Sequence, residues 1–211
     1  MASAAEHPHA FPSQSARIGP NAVLQLEQAL VETSGESASG RVFARAGLSG
    51  LLTDRPTDMV DEQLPRALFD SLFAEFPEPQ ARRIAHRAGV LTGEYILEHR
   101  IPATVRMLLA WLPAGTAQPL LLGAILRHAW TFAGSGRCIA TAGRAARIEI
   151  AANPLAMPGC AWHVGVFETL FRRLVSPRAS VSHGPCCLDG DAACHFEIDV
   201  TTSNIRRVSN D

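Results

Sequence analysis

Three of the five cysteines of this chain, Cys186, Cys187 and Cys194, fall within nine positions, and a fourth, Cys160, lies 26 residues upstream of the first of them. Cys160 stands where a loop enters a run with helical apolar spacing. Cys186 closes a strand-like run and Cys194 opens the next, with the turn LDGDAA nearby. Strand ends joined by a short turn can bring such positions together, and the helix after Cys160 can fold that residue back onto the same sheet end. Converging thiolates in a chain expected to stay in a reducing compartment are soft donors suited to tetrahedral Zn²⁺. A structural site needs a fourth ligand, and Cys138, Cys187, Glu149 and His163 are all available to supply it. The spacing does not choose among them. Inert buried thiols and a redox role are the alternatives.

The elements that must position these residues come in two blocks. Residues 17–133 read as helical and residues 136–200 as mostly strand with one helix, an order that predicts an α+β fold with N-terminal helices packed on a mixed or antiparallel sheet. The first helix starts at Pro20 or Asn21, with Val23, Leu26, Ala29 and Leu30 at helical spacing, and fades before Gly35. Further helical pieces fall near 37–46, 61–75, 79–98, 102–112 and 117–132, broken by prolines. After Gly134 the runs RCIATAG and RAARIEIAA alternate around Gly143 as a hairpin would. The loop NPLAMPG leads into the Cys160 helix, whose Val164, Phe167, Leu170, Phe171 and Leu174 share one face, and the strands RASVSHG and CHFEIDV follow.

Composition narrows the function classes. With 211 residues, 47% hydrophobic content and a net charge of −1, the chain suits one globular domain over 17–200, with tails at 1–16 and 201–211. The densest basic runs are pairs such as Arg82-Arg83, so nucleic-acid binding is not expected. All basic residues except histidine are arginine, which excludes a phosphate-binding, Schiff-base or general-base lysine. The N-terminus lacks a basic region followed by an apolar core, and the run Pro119–Trp130 is interrupted by Arg127 and His128. The expected location is cytoplasmic, with membrane association left open.

The run Cys186-x3-Gly190-Asp191-x2-Cys194-x-Phe196, preceded by Cys160 at a helix start, resembles the C-terminal signature of the 4-vinyl reductase domain. The stretches RIGPNAVLQL and HRAGVLTGEYIL narrow the resemblance to the bacteriochlorophyll 4-vinyl reductase, or J-type, family. The resemblance implies a fold shared with nitric-oxide-signalling and Golgi-transport domains, a homodimer and an apolar ligand cavity. In related sensor domains, cysteines matching Cys160, Cys186 and Cys194 bind zinc with an upstream glutamate. That glutamate has no clear counterpart here, and Cys138, nearby in the chain, could substitute for it.

The reaction implied by the family is addition of two hydrogens to a vinyl group of a chlorophyllide, which needs a hydride or electron source. The chain has no Gly-x-Gly-x-x-Gly after a strand, and its cysteine spacing matches none of the common ferredoxin patterns. A protein that binds a porphyrin or chlorophyllide and presents it to other bacteriochlorophyll biosynthesis enzymes is therefore expected ahead of a self-sufficient reductase. A small-molecule sensor is the third reading. For the ligand, Arg82, His86, Gly89 and Gly93 fall on one helical face, and Trp111, His128 and Trp130 are further candidates to line a cavity.

Overall fold

The computed structural model describes residues 16–200, so the tails expected over 1–16 and 201–211 lie outside the described residues apart from Ala16. The helical block begins with α1 (Asn21–Ser34), whose buried Ala22, Val23, Leu26, Ala29 and Leu30 form one apolar face. It stops at Gly35, where φ is 83°, and α2 (Glu36–Arg45) starts at the next residue. A two-residue ribbon, β1 (Arg17–Ile18) against β2 (Val60–Asp61), ties the start of the chain to the entrance of α3 (Gln63–Glu75). The helical reading of residue 17 onward missed this ribbon, because two-residue strands carry no periodicity.

Pro77, Pro102 and Pro113 each sit at a helix N-cap, where the missing N–H costs nothing. They open α4 (Glu78–His99), α5 (Ala103–Trp111) and α6 (Ala114–Arg127). The expected start near 117 is corrected to Ala114: Pro113 caps the helix, and Pro119 is carried inside it on the exposed side. A short α7 (Trp130–Ala133) follows. No helix of the described residues is long and apolar enough to cross a membrane.

The second block is a four-stranded sheet of β3 (Arg137–Thr141), β4 (Ala145–Ala151), β5 (Ser180–His183) and β6 (Ala193–Asp199). Its order is β3-β4-β6-β5 with every neighbour antiparallel. Period-two alternation turns Ala146, Ile148 and Ile150 of β4, and Cys194, Phe196 and Ile198 of β6, to the buried face. The architecture is α+β, helices on an antiparallel sheet.

Between β4 and β5 the chain forms α8 (Ala161–Leu174), which lies on that buried face. The Phe167 ring meets Phe196 edge-on at a centroid distance of 5.2 Å, and both are buried, each contributing about 2 kcal/mol by leaving water. The long helix α4 covers the other side of α8, and α1 packs on α4. At the crossing the backbones nearly touch: a Cβ on Gly89 would stand 2.1 Å from the Trp162 carbonyl oxygen, and one on Gly165 would stand 2.4 Å from that of His86. Small residues at both positions are what lets α4 lie so close.

Candidate metal centre

The loop after β4 delivers the first thiol. Pro158–Cys160 form a 3-10 turn in which Gly159 has φ 68° and Cys160 itself has φ 41° and ψ 41°. A side-chain-bearing residue in this left-handed region costs about 1–3 kcal/mol, and here it stands at the N-cap of α8 with its thiol buried among other sulfurs. β5 delivers His183 at its last position. The chain then passes Gly184 and Pro185 to Cys186, makes a 3-10 turn over Cys187–Asp189, reverses at Gly190 (φ 96°) and enters β6 at Ala193. Asp191 fastens this knuckle: its Oδ2 accepts from the Cys186 amide at 3.0 Å, and its own amide donates to the Cys186 carbonyl at 3.1 Å.

Four ligand atoms, from Cys160, His183, Cys186 and Cys194, lie within 4.8 Å of one another. The Cys160 and Cys186 sulfurs are 3.6 Å apart and those of Cys186 and Cys194 3.5 Å apart. Thiolates on a tetrahedral zinc with bonds of about 2.3 Å stand about 3.8 Å apart, whereas a disulfide holds its sulfurs at about 2.05 Å. All the cysteines are free thiols. The donor set of three sulfurs and one imidazole therefore fits zinc in both chemistry and spacing.

The electrostatics favour negative charge at one sulfur. Cys194 is driven far below the usual thiol range by the hydrogen bond from Cys160, working against burial, with help from His183, the Cys187 amide and Asn153. Cys160 is correspondingly raised, the same hydrogen bond keeping its proton in place. Asn153 Nδ2 lies 3.4 Å from the Cys194 sulfur and 3.9 Å from that of Cys160, while its Oδ1 accepts from the Leu155 amide at 3.0 Å. The Cys187 amide donates to the Cys194 sulfur at 3.4 Å. These donors offset the cost of a buried thiolate.

Two of these residues escaped the sequence reading. His183 carries a signal that could have found it, the ligand-like spacing His-x2-Cys to Cys186; Asn153 sits in a loop with no such mark. The fourth-ligand expectation for Cys138 is corrected. Cys138 and Cys194 both oppose Ile150, one on each side, so they stand two strands and roughly 10 Å apart. Cys187 instead points its thiol at the Ile150 carbonyl, and Glu149 faces the other side of the sheet, 3.5 Å from His195. His163 is buried among Trp162, Phe132, Phe167 and Phe196, and neither ring nitrogen has a hydrogen-bond partner among the described residues. Burial lowers its pKa to about 4.

The residues expected to meet a ligand separate. The space left by Gly89 and Gly93 is filled by α8, through Trp162, Gly165 and Thr169, so these glycines serve helix packing. His86 Nε2 lies 3.1 Å from Glu168, which also pairs with Arg172 at 2.6 Å. Trp111, His128 and Trp130 are exposed, Trp111 by 85%. Arg82, paired with Glu78 at 2.9 Å, lines a groove of about 550 Å³ beside the metal cluster. Pro158, Val164, Val181 and Leu188 form its apolar walls, and His183 belongs to both groove and cluster.

No family model matches the chain. It is 41% identical over 196 residues to the bacteriochlorophyll synthase 23 kDa chain of Cereibacter sphaeroides, covering 89% of this chain and 92% of that one. The chain belongs to the bacteriochlorophyll synthase 23 kDa chain family. A second member, from Rhodobacter capsulatus, is 38% identical over 183 residues, 81% of this chain and 84% of its own. Among solved structures, this family member is similar in fold to H-NOX proteins. One from K. algicida, an Fe(II) unliganded point variant, gives a TM-score of 0.59 at 12% identity over 89% of this chain and 98% of that one. Another, solved in a study of heme distortion, gives 0.58 at 15% identity over 92% and 100%.

Proposed function

We propose that the chain binds a tetrapyrrole intermediate of bacteriochlorophyll biosynthesis and hands it to the enzymes of that pathway without reducing it alone. The observation that carries this reading is the 41% identity along nearly the whole length of a bacteriochlorophyll synthase 23 kDa chain. The fold adds support from a separate direction, since H-NOX neighbours were solved in studies of heme distortion and porphyrin distortion, and heme, like bacteriochlorophyll, is a tetrapyrrole. The groove beside the cluster is the proposed seat: its volume of about 550 Å³ lies in the range of small-molecule sites. Val164, Val181 and Leu188 offer apolar contact to a ring, and Arg82 offers a guanidinium to a ring carboxylate.

The metal belongs to the same proposal. Cys160, His183, Cys186 and Cys194 hold one zinc ion, four protein ligands that close its coordination shell and make its role structural. Bound there, it ties the start of α8 to the ends of β5 and β6 and so holds one wall of the groove.

An absorbance titration of the purified protein with protoporphyrin, its magnesium derivative and chlorophyllide tests the reading. A Soret shift saturating with a dissociation constant of order micromolar, about −8 kcal/mol, is expected. No spectral change with any of the three at tens of micromolar, or steady reduction of the divinyl pigment by the protein with NADPH alone, overturns it.

A further inference from the structure

Between Glu98 and Glu149 the chain has no acidic residue, yet it carries Arg100, Arg106, Arg127, Arg137, Arg144 and Arg147. The same tract holds most of the large apolar side chains left in solvent. α5 buries only Leu109, while Val105, Met107, Leu108 and Trp111 are exposed by 42, 61, 60 and 85%. α6 follows after Leu112 and Pro113. It turns Ala117, Leu121, Leu122 and Ile125 inward and leaves outside the stripe Thr116, Pro119, Leu120, Gly123, Ala124 and Arg127, spaced by three and four. Trp130 is exposed by 56% just beyond. Arg100, Arg127 and Arg137 are exposed and enter no ion pair among the described residues.

We propose that the α5–α6 tract seats the protein on an anionic phospholipid bilayer. An exposed apolar surface of this kind marks an interaction site, and its charge selects the partner. A second copy is disfavoured, because a twofold interface would set the arginines of the tract against themselves with no carboxylate in the tract to receive them. A layer of anionic headgroups supplies that counter-charge along the whole surface. The side chains match its depth profile: Met107, Leu108 and Leu120 enter the acyl boundary, Trp111 and Trp130 lie at headgroup level, and arginines reach the phosphates. The helices lie in the interface plane rather than across it, since none is long and apolar enough to span.

The test is flotation of the full chain with vesicles of phosphatidylglycerol and phosphatidylcholine, against vesicles of phosphatidylcholine alone. Co-flotation with the anionic vesicles, weakened by salt, is expected, with a blue shift of tryptophan emission from Trp111 and Trp130 while buried Trp162 stays unchanged. Leu108→Ser with Trp111→Ser should weaken partitioning by more than about tenfold, and Arg127→Gln by about fivefold. All three positions are exposed, so an unchanged melting temperature verifies that the variants are folded. Absence of flotation overturns the proposal. So does flotation that is indifferent to headgroup charge or to both variants, and so does self-association lost in the double variant without vesicle binding, which would assign the tract to a homodimer.

Discussion

His163 should make the stability of this protein fall steeply between neutral and mildly acidic pH. Its ring is buried among Trp162, Phe132, Phe167 and Phe196, and neither nitrogen has a well-formed hydrogen bond among the described residues. Burial, reinforced by nearby His183 and offset only in part by Cys194 and the Phe132 backbone, therefore disfavours its charged form. The folded-state pKa is accordingly lowered to about 4, against about 6.5 in the unfolded chain. Because the folded value is the lower one, the unfolded chain binds more protons between the two. Stability is full above about pH 6.5, declines as pH falls toward 4 by up to about 1.4 kcal/mol per unit, and loses nothing more from this group below that. Between pH 7 and pH 5 the loss is about 2 kcal/mol. Urea unfolding at both pH values, on the native chain and on His163→Leu, isolates it, since the other histidines and the cysteines are common to both. The native chain should lose about 2 kcal/mol more than the variant over that interval. An equal loss in both, or an imidazole titration by NMR with its midpoint near 6.5, would refute the argument.

Four further outcomes follow from the packing and the cluster. Protein purified without chelator should contain about one zinc per chain by metal analysis, and Cys194→Ser should remove it; less than about 0.2 per chain counts against the site. Asn153→Ala should keep that stoichiometry but weaken zinc affinity about 10- to 100-fold in a competition titration, through loss of the donor at the Cys160 and Cys194 sulfurs. Gly89→Ala should destabilise by about 3 kcal/mol or more in urea unfolding, because the new methyl group would meet backbone at 2.1 Å and α4 must shift away from α8. Arg82→Ala should weaken carboxylate-bearing tetrapyrroles in the absorbance titration by about tenfold or more, while leaving the melting temperature within a degree or two, since Arg82 is exposed.

The elements themselves were legible because their causes are local. The alternation in RAARIEIAA and CHFEIDV marks one buried face, the apolar positions of residues 161–174 mark one helical stripe, and Pro77 and Pro102 break the chain where new helices start, whereas the start after Pro113 comes three residues ahead of the expected one. The same local logic placed Cys160, Cys186 and Cys194 at element ends that meet. What lies across the fold was not legible. Insertion of β6 between β4 and β5 decides that Cys138 stands two strands from the cluster and that His183, at the end of β5, stands beside it. Helical spacing put Gly89 and Gly93 on one face of α4, but only the approach of α8 shows that backbone, not a ligand, fills the space they leave. The tryptophans divide in the same way: Trp162 is enclosed against α3 and α4, beside Phe69 and Thr92, while Trp111 and Trp130 stand in solvent. Residue type and spacing express how each segment prefers to fold; which surfaces are then covered depends on contacts between segments far apart in the chain, and those the tertiary structure alone decides.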